Sequence, residues 1–422
     1  MEPRRRLVQG LAARLPFHYG WVILALVCLA GFTRQGSALG TLSLFVEPMI
    51  GEFGWSHTSI SAAVSVGGIL GALIAPALGS FLDRNGARAV LLLAVLLTAG
   101  STFLLSFSQS LAWFFVFYCV ARMSFAGPYD LGIYGSVVNW FYRRRAFATS
   151  VVTLAQMIGL VIMPLVAYFV MQAAGWRSAW AAVGATVLVV GFLPVWLLHV
   201  RRPEDLGQRL EGAPESPAAT SVTSSPEPAY TRAQALATPA FWLLGLFTLL
   251  AFPVQAGISL HQAPLLIERG LAPGVAAAAV SMFALSSATA GFAYGFWPRR
   301  VPLRFALLLT GVVLGASCLA MANVASPLQA YFAASLLGAG VGGLLTMLPI
   351  AWADYFGRSS YGAIRGVALG FQVAGQALGP VLSGVLRDWT GDYGASLATF
   401  AGLAVAAGVM AVFAKPPRRS RG

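Results

Sequence analysis

The sequence predicts an all-α polytopic membrane protein, with twelve transmembrane helices arranged as two pseudo-symmetric six-helix bundles. Three observations predict it. Of the 422 residues 58% are hydrophobic and only 10% charged, and the mean hydropathy is +0.76. Soluble domains carry about 25% charged residues and disordered chains carry more, so a soluble globular enzyme and an unfolded chain are both excluded. Apolar runs long enough to cross a hydrocarbon core of about 30 Å recur along the whole chain. The short alternating segments of a membrane β-barrel are missing from the sequence. Finally, several polar positions recur in both halves at one period.

The first set of runs falls at about 19–46, 56–82, 87–107, 111–138, 146–172 and 177–199, and the second at about 240–266, 274–297, 303–323, 327–352, 364–387 and 393–414. Arg4, Arg5 and Arg6 precede the first run without a small-residue cleavage site, which reads as an uncleaved first helix. Between the sets lies 201–238, with a Pro/Ala/Ser/Thr/Glu-rich stretch from Glu211 to Pro228 that cannot support a packed core and reads as a flexible cytoplasmic linker. The expected domains are therefore 1–200, a linker at 201–238, and 239–422. Glycine clusters such as Gly338, Gly340, Gly342 and Gly343 lie inside apolar runs and read as close helix contacts rather than phosphate loops.

The net charge of +13 is explained by topology. With a cytoplasmic N-terminus, 22 of the 27 Lys and Arg residues fall on the cytoplasmic side and Arg177, Arg269 and Arg387 on the other. The positive-inside rule then places both termini in the cytoplasm of a multi-pass protein of the plasma membrane, the inner membrane in a bacterium, and removes any need for nucleic acid as a partner. Cys28, Cys119 and Cys318 all lie in apolar runs and suggest no disulfide. His18, His57, His199 and His261 are scattered, which suggests no metal site. No Gly-Lys-Ser/Thr motif occurs and the sole lysine is Lys415, so no cofactor, ATP-driven step or enzyme activity is expected.

The halves repeat in parallel. Gln156-x-x-Gly159-x4-Pro164 recurs as Gln372-x-x-Gly375-x4-Pro380, Arg84 and Arg88 recur as Arg300 and Arg304, and Phe141-x-Arg143 recurs as Phe356-x-Arg358. Parallel repeats of this kind place a substrate site near the bilayer midplane. The loop Gly79-Ser80-Phe81-Leu82-Asp83-Arg84-Asn85-Gly86-Ala87-Arg88 resembles the G-x-L-x-D-R-x-G-x-R signature of the major facilitator superfamily. Tyr19-Gly20-Trp21 and Trp140-Phe141-Tyr142-Arg143-Arg144-Arg145-Ala146 resemble its monocarboxylate transporter and oxalate/formate antiporter branch. Three departures stand out. Arg299 occupies the place of Asp83 in the second copy of the loop, the eighth helix lacks the arginine usual in that branch, and the fifth has Met163-Pro164 where proton antiporters carry Gly-Pro.

Charges within spans are costly, by about 2.5–3.5 kcal/mol or more at mid-helix, and usually mark a site. Arg34 and Arg122 fall near mid-depth of the first and fourth helices. The resemblance implies that these helices, with the seventh and tenth, line a central cavity. Two guanidiniums there suit capture of a carboxylate, phosphate or sulfonate, although either could pair with an acid or with helix-end carbonyls. Asp130 is a candidate proton carrier or the partner of an arginine from another helix, and His261, which with Gln255 and Gln262 could line the outer half of the cavity, a candidate for substrate contact or coupling. Asp83, Arg84, Arg88, Asp354 and Arg358 sit at cytoplasmic helix ends, where an acid can stabilise a helix N-terminus or pair with an arginine; their expected role is conformational gating. The expected function is a secondary active transporter acting as a monomer, moving a small organic anion, a monocarboxylate, with proton symport. The alternatives are a proton-antiport exporter of hydrophobic drug-like compounds, or a non-transporting membrane sensor or assembly partner.

Overall fold

The computed structural model describes residues 2–212, 229–298 and 300–417. The predicted linker is therefore described only at its two ends, and Arg299, Arg418, Arg419 and Arg421 lie outside the described residues. The described residues form sixteen α-helices: α1 Glu2–Arg14, α2 Gly20–Arg34, α3 Leu39–Phe53, α4 His57–Asn85, α5 Ala87–Leu105, α6 Leu111–Ala126, α7 Pro128–Trp140, α8 Arg145–Thr186, α9 Leu193–Leu198, α10 Arg232–Leu236, α11 Pro239–Glu268, α12 Pro273–Tyr294, α13 Leu303–Ala322, α14 Pro327–Phe356, α15 Tyr361–Thr390 and α16 Gly394–Phe413. Among the described residues there is no strand.

Among the described residues eleven stretches are long and apolar enough to span a membrane, and one of them, Arg145–Leu198, is 54 residues long. It holds two traverses. Gly175, at φ 81° and ψ 170°, breaks α8 with a kink, in a backbone region that side chains with a Cβ rarely enter. The predicted helices at 146–172 and 177–199 meet at that residue, which brings the traverses to twelve. Two other predicted helices prove to be broken pairs: a 3₁₀ turn at Gln35–Ser37 separates α2 from α3, and Gly127 separates α6 from α7. Large apolar side chains such as Leu73, Phe169, Leu328, Phe332 and Val381 are exposed, as a bilayer-facing surface requires.

Two compact units emerge. The first comprises Met1–Ala148, Ile158–Ala229 and Arg358–Val367, so it holds α1 to α7, most of α8, α9, and the opening turns of α15. Within it α6 packs on α4 and α5, and α5 on α7; Phe45 stacks on Trp180 at 3.8 Å. The second comprises Thr149–Met157, Tyr230–Gly357 and Ala368–Gly422. Within it α12 packs on α14, α13 on α14 and α16, and α11 on α16. The α14 glycines serve that packing, since Gly338 and Gly342 face backbone atoms of α12.

The ends of the predicted linker are docked. Glu211 pairs with the turn after α7: its N–H donates to the Trp140 carbonyl at 3.1 Å, and its own carbonyl accepts from Tyr142 and Arg143. Gln208 Oε1 accepts from the Tyr19 N–H. At the other end, within the second unit, the Tyr230 N–H donates to Phe356 and its hydroxyl to Pro417. Composition sees the Pro/Ser/Thr bias but is blind to such long-range backbone pairing.

Candidate functional site

Two guanidiniums of the first unit share one aromatic ring. Arg34 is the last residue of α2, where the α-helix gives way to the 3₁₀ turn. α6 stops at Ala126 because the chain kinks at Gly127 and Pro128 has no N–H to continue the ladder. The last carbonyls of α6 are thereby left open, and Arg34 Nε donates to that of Phe125 at 3.1 Å. The Phe125 ring lies 4.2 Å from the Arg34 guanidinium carbon and 4.5 Å from that of Arg122. Cation–π contact holds both cations without neutralising either. Arg34 is buried, at 7% exposure. Arg122 is half-buried, its Nε has no hydrogen-bond partner, and no carboxylate pairs with it among the described residues. Such fixed positive charge with unused N–H donors can take an anionic group in a bidentate grip.

Asp130 is in the first turn of α7, where a negative charge complements the helix dipole. It faces Arg365 of α15, with Nε to Oδ1 at 3.1 Å and Nη2 to Oδ2 at 3.4 Å. Both residues are buried, Asp130 at 3% and Arg365 at 1% exposure. Arg34 also feels the Asp130 carboxylate electrostatically. The sequence counts Arg365 among the cytoplasmic loop charges because the eleventh apolar run starts at about 364. The helix begins at Tyr361 instead, which carries Arg365 into its second turn and into the protein.

Asp83 ends at another helix start. Its carboxylate accepts from the backbone N–H groups of Gly362 at 2.9 Å and Ala363 at 2.8 Å, two of the free donors opening α15. The approach depends on missing Cβ atoms, since one on Gly79 would collide with the Gly362 carbonyl and one on Gly362 with that of Gly79. Arg201 donates to the Arg84 carbonyl at 2.6 Å and so caps the far end of α4, while the Arg84 side chain itself is exposed. Arg88 donates to the Trp196 carbonyl at 3.0 Å. Arg358 pairs with Glu204 at 3.0 Å, and Asp354 lies exposed near the end of α14.

In the second unit His261 is hydrogen-bonded at both ring nitrogens, Nδ1 to the Tyr393 hydroxyl at 3.1 Å and Nε2 to the Pro380 carbonyl at 3.3 Å. A carbonyl only accepts, so Nε2 donates its N–H to Pro380. Burial raises the Tyr393 hydroxyl above an ordinary phenol, with Arg387 opposing. Gln255 is half-buried on the same helix. No cluster of metal-ligating side chains occurs among the described residues. Sequence reasoning missed Arg365 and Arg201 as parts of these arrangements; the signal for the first was a buried aspartate at a helix start in need of a cation.

The Major Facilitator Superfamily profile matches residues 20–276 and 256–422. Monocarboxylate transporter 11 of Mus musculus is 27% identical over 401 residues, covering 90% of this chain and 83% of its own length. Monocarboxylate transporter 12 of Rattus norvegicus is 24% identical, covering 96% and 87%. Among solved structures, the Major Facilitator Superfamily transporter FucP matches with a TM-score of 0.70 at 13% identity, over 93% of this chain and 98% of its own. The human organic anion transporter MFSD10 (TETRAN) matches with a TM-score of 0.71 at 18% identity, over 94% and 100%. At such identities the structural likeness is one of fold.

Proposed function

Because the chain belongs to the Major Facilitator Superfamily, we propose that this multi-pass membrane protein is a secondary active transporter for a small organic anion, a monocarboxylate, moved by alternating access with proton symport. The observation that carries this reading is the half-buried Arg122 guanidinium, without a carboxylate partner among the described residues and set with Arg34 against Phe125. A fixed cation inside a span is costly unless an anion meets it, and the acid on the same traverse, Asp130, is engaged by Arg365. The names of the relatives, two monocarboxylate transporters and a human organic anion transporter, point to the same chemistry. Gln255 and His261 are the proposed substrate contacts on α11, and Asp130 or His261 the proposed proton carrier. The protein acts as a monomer in the plasma membrane, with both termini cytoplasmic.

Uptake by proteoliposomes tests this directly. Labelled small carboxylates should accumulate, and an inward proton gradient should speed their entry. Entry of cations or neutral compounds alone, or indifference to the gradient, would remove the substrate class or the coupling respectively.

Asp83, Arg84, Arg88, Asp354 and Arg358 are the proposed gating residues. Asp83 holds the start of α15 by two charge-assisted hydrogen bonds, so it acts on the balance between access states rather than on the anion. Asp83→Asn should slow turnover while leaving substrate affinity within about twofold, because an amide accepts more weakly than a carboxylate and these bonds are worth roughly 1.5–3 kcal/mol when charged. Exchange and equilibrium binding measured side by side separate the two effects; a collapse of affinity at normal turnover contradicts the gating role.

A further inference from the structure

α11 carries polar side chains for which the described protein has no use. Gln262 is 1% exposed, and neither the oxygen nor the nitrogen of its carboxamide has a hydrogen-bond partner. Gln255 Oε1 and Ser259 Oγ are likewise buried and unpartnered. Positions 255, 259 and 262 stand four and three residues apart, so they share one face of α11 over about 10 Å of its axis. His261 is not one of them, since both its nitrogens are engaged. An unpaired buried amide is destabilising, more so at membrane depth, and an apolar residue of the same shape would stabilise the helix instead. Side chains kept at such a cost fit a ligand.

The chemistry of these atoms selects that ligand. Two of them, Oε1 of Gln255 and Oε1 of Gln262, only accept, and they lie at opposite ends of the stripe, so two separate donors are required. A carboxylate brings none. The charged residue of α11 is Glu268 at its very end, and α12 and α16, which pack on α11, have none. A hydroxyl meets both needs, accepting from Gln262 Nε2–H and donating to a carbonyl oxygen.

We infer that Gln255, Ser259 and Gln262 form a neutral recognition site, within the second unit, for a ligand bearing at least two hydroxyl groups.

Gluconate, hexanoate and glucitol are suitable probes: two six-carbon acids, with and without hydroxyls, and a neutral polyol. Binding to the purified full chain is read by ligand-induced thermal shift. Gluconate should bind better than hexanoate. Gln262→Met should weaken gluconate about tenfold, leave hexanoate unchanged, and raise the melting temperature of the free protein, and Gln255→Met should weaken gluconate to a similar degree. Ser259→Ala, the gentlest change, should show the same selectivity to a smaller degree if a glutamine variant folds poorly. Equal binding of gluconate and hexanoate by the parent, or a preference that survives these substitutions, overturns the inference. Glucitol binding that is lost in Gln262→Met, with no binding of either acid, supports the stripe and refutes the anion reading. Hexanoate binding lost in Arg122→Gln, with no response to the polyhydroxylated probes, refutes the stripe and keeps the anion reading.

Discussion

Arg365→Met is expected to cost about 3–5 kcal/mol of stability, because it leaves the Asp130 carboxylate as an unpaired charge in a buried place. The loss comes from the stranded partner more than from the lost attraction. Asp130→Asn combined with Arg365→Met should therefore recover most of it, since an ion pair replaced on both sides by neutral groups is often no less stable. Asp130→Asn alone should be costly too, leaving a buried guanidinium short of its acceptor. Thermal unfolding of the purified variants decides the matter. A single variant that melts with the parent, or a double variant worse than both singles, would mean that the pair contributes little and that Arg365 is satisfied elsewhere. The same series reports on coupling: if protonation of Asp130 is a step in transport, the Asn variant loses the response to a proton gradient even where it folds.

The second large effect is on ligand. Arg122→Gln removes a fixed charge yet keeps most of the side chain, and charge-assisted hydrogen bonds are worth about 1.5–3 kcal/mol, so anion binding should weaken roughly tenfold to a hundredfold. Arg122→Lys should restore only part, because an ammonium lacks the planar pair of donors that grips a carboxylate. Arg34→Gln should weaken binding as well but carries a structural penalty, as Arg34 also satisfies the Phe125 carbonyl at the end of α6. Melting temperature measured with affinity separates these: Arg122→Gln keeps the parent's stability, Arg34→Gln does not. A well-folded Arg122→Gln that binds carboxylates like the parent places the anion elsewhere.

The traverses were legible because each is a run of apolar residues bounded by Gly, Pro or charge, a pattern that survives without knowledge of the partners. Their interruptions were not. Arg34 and Phe125 meet because α2 and α6 both end at depth, and hydropathy averaged over a span does not resolve a single 3₁₀ turn or a kink at Gly127. Asp83 was readable as an acid able to cap a helix, but its target, the start of α15, lies 279 residues away in sequence. Arg365 was hidden by three residues of uncertainty in a helix start. Polar residues inside the seventh helix drew attention as a group, whereas the fact that His261 is satisfied and Gln262 is not depends on neighbours that only the fold supplies.

The docked ends of the connecting segment change what the stretch between them does. Glu211 is fixed to its own unit through the backbone of Trp140, Tyr142 and Arg143, and Tyr230 to its own through Phe356 and Pro417. Eighteen residues, 212–229, join these anchors. Covalent continuity there sets the local concentration of one half of the polypeptide around the other, and for flexible chains that quantity falls only slowly with length. Doubling the segment would cost about 0.6 kcal/mol in closure entropy. A reporter domain spliced between the anchors, or a cut that yields two co-expressed fragments, leaves the hydrogen bonds of both anchors untouched, so this stretch is where the gene can be opened without disturbing either half.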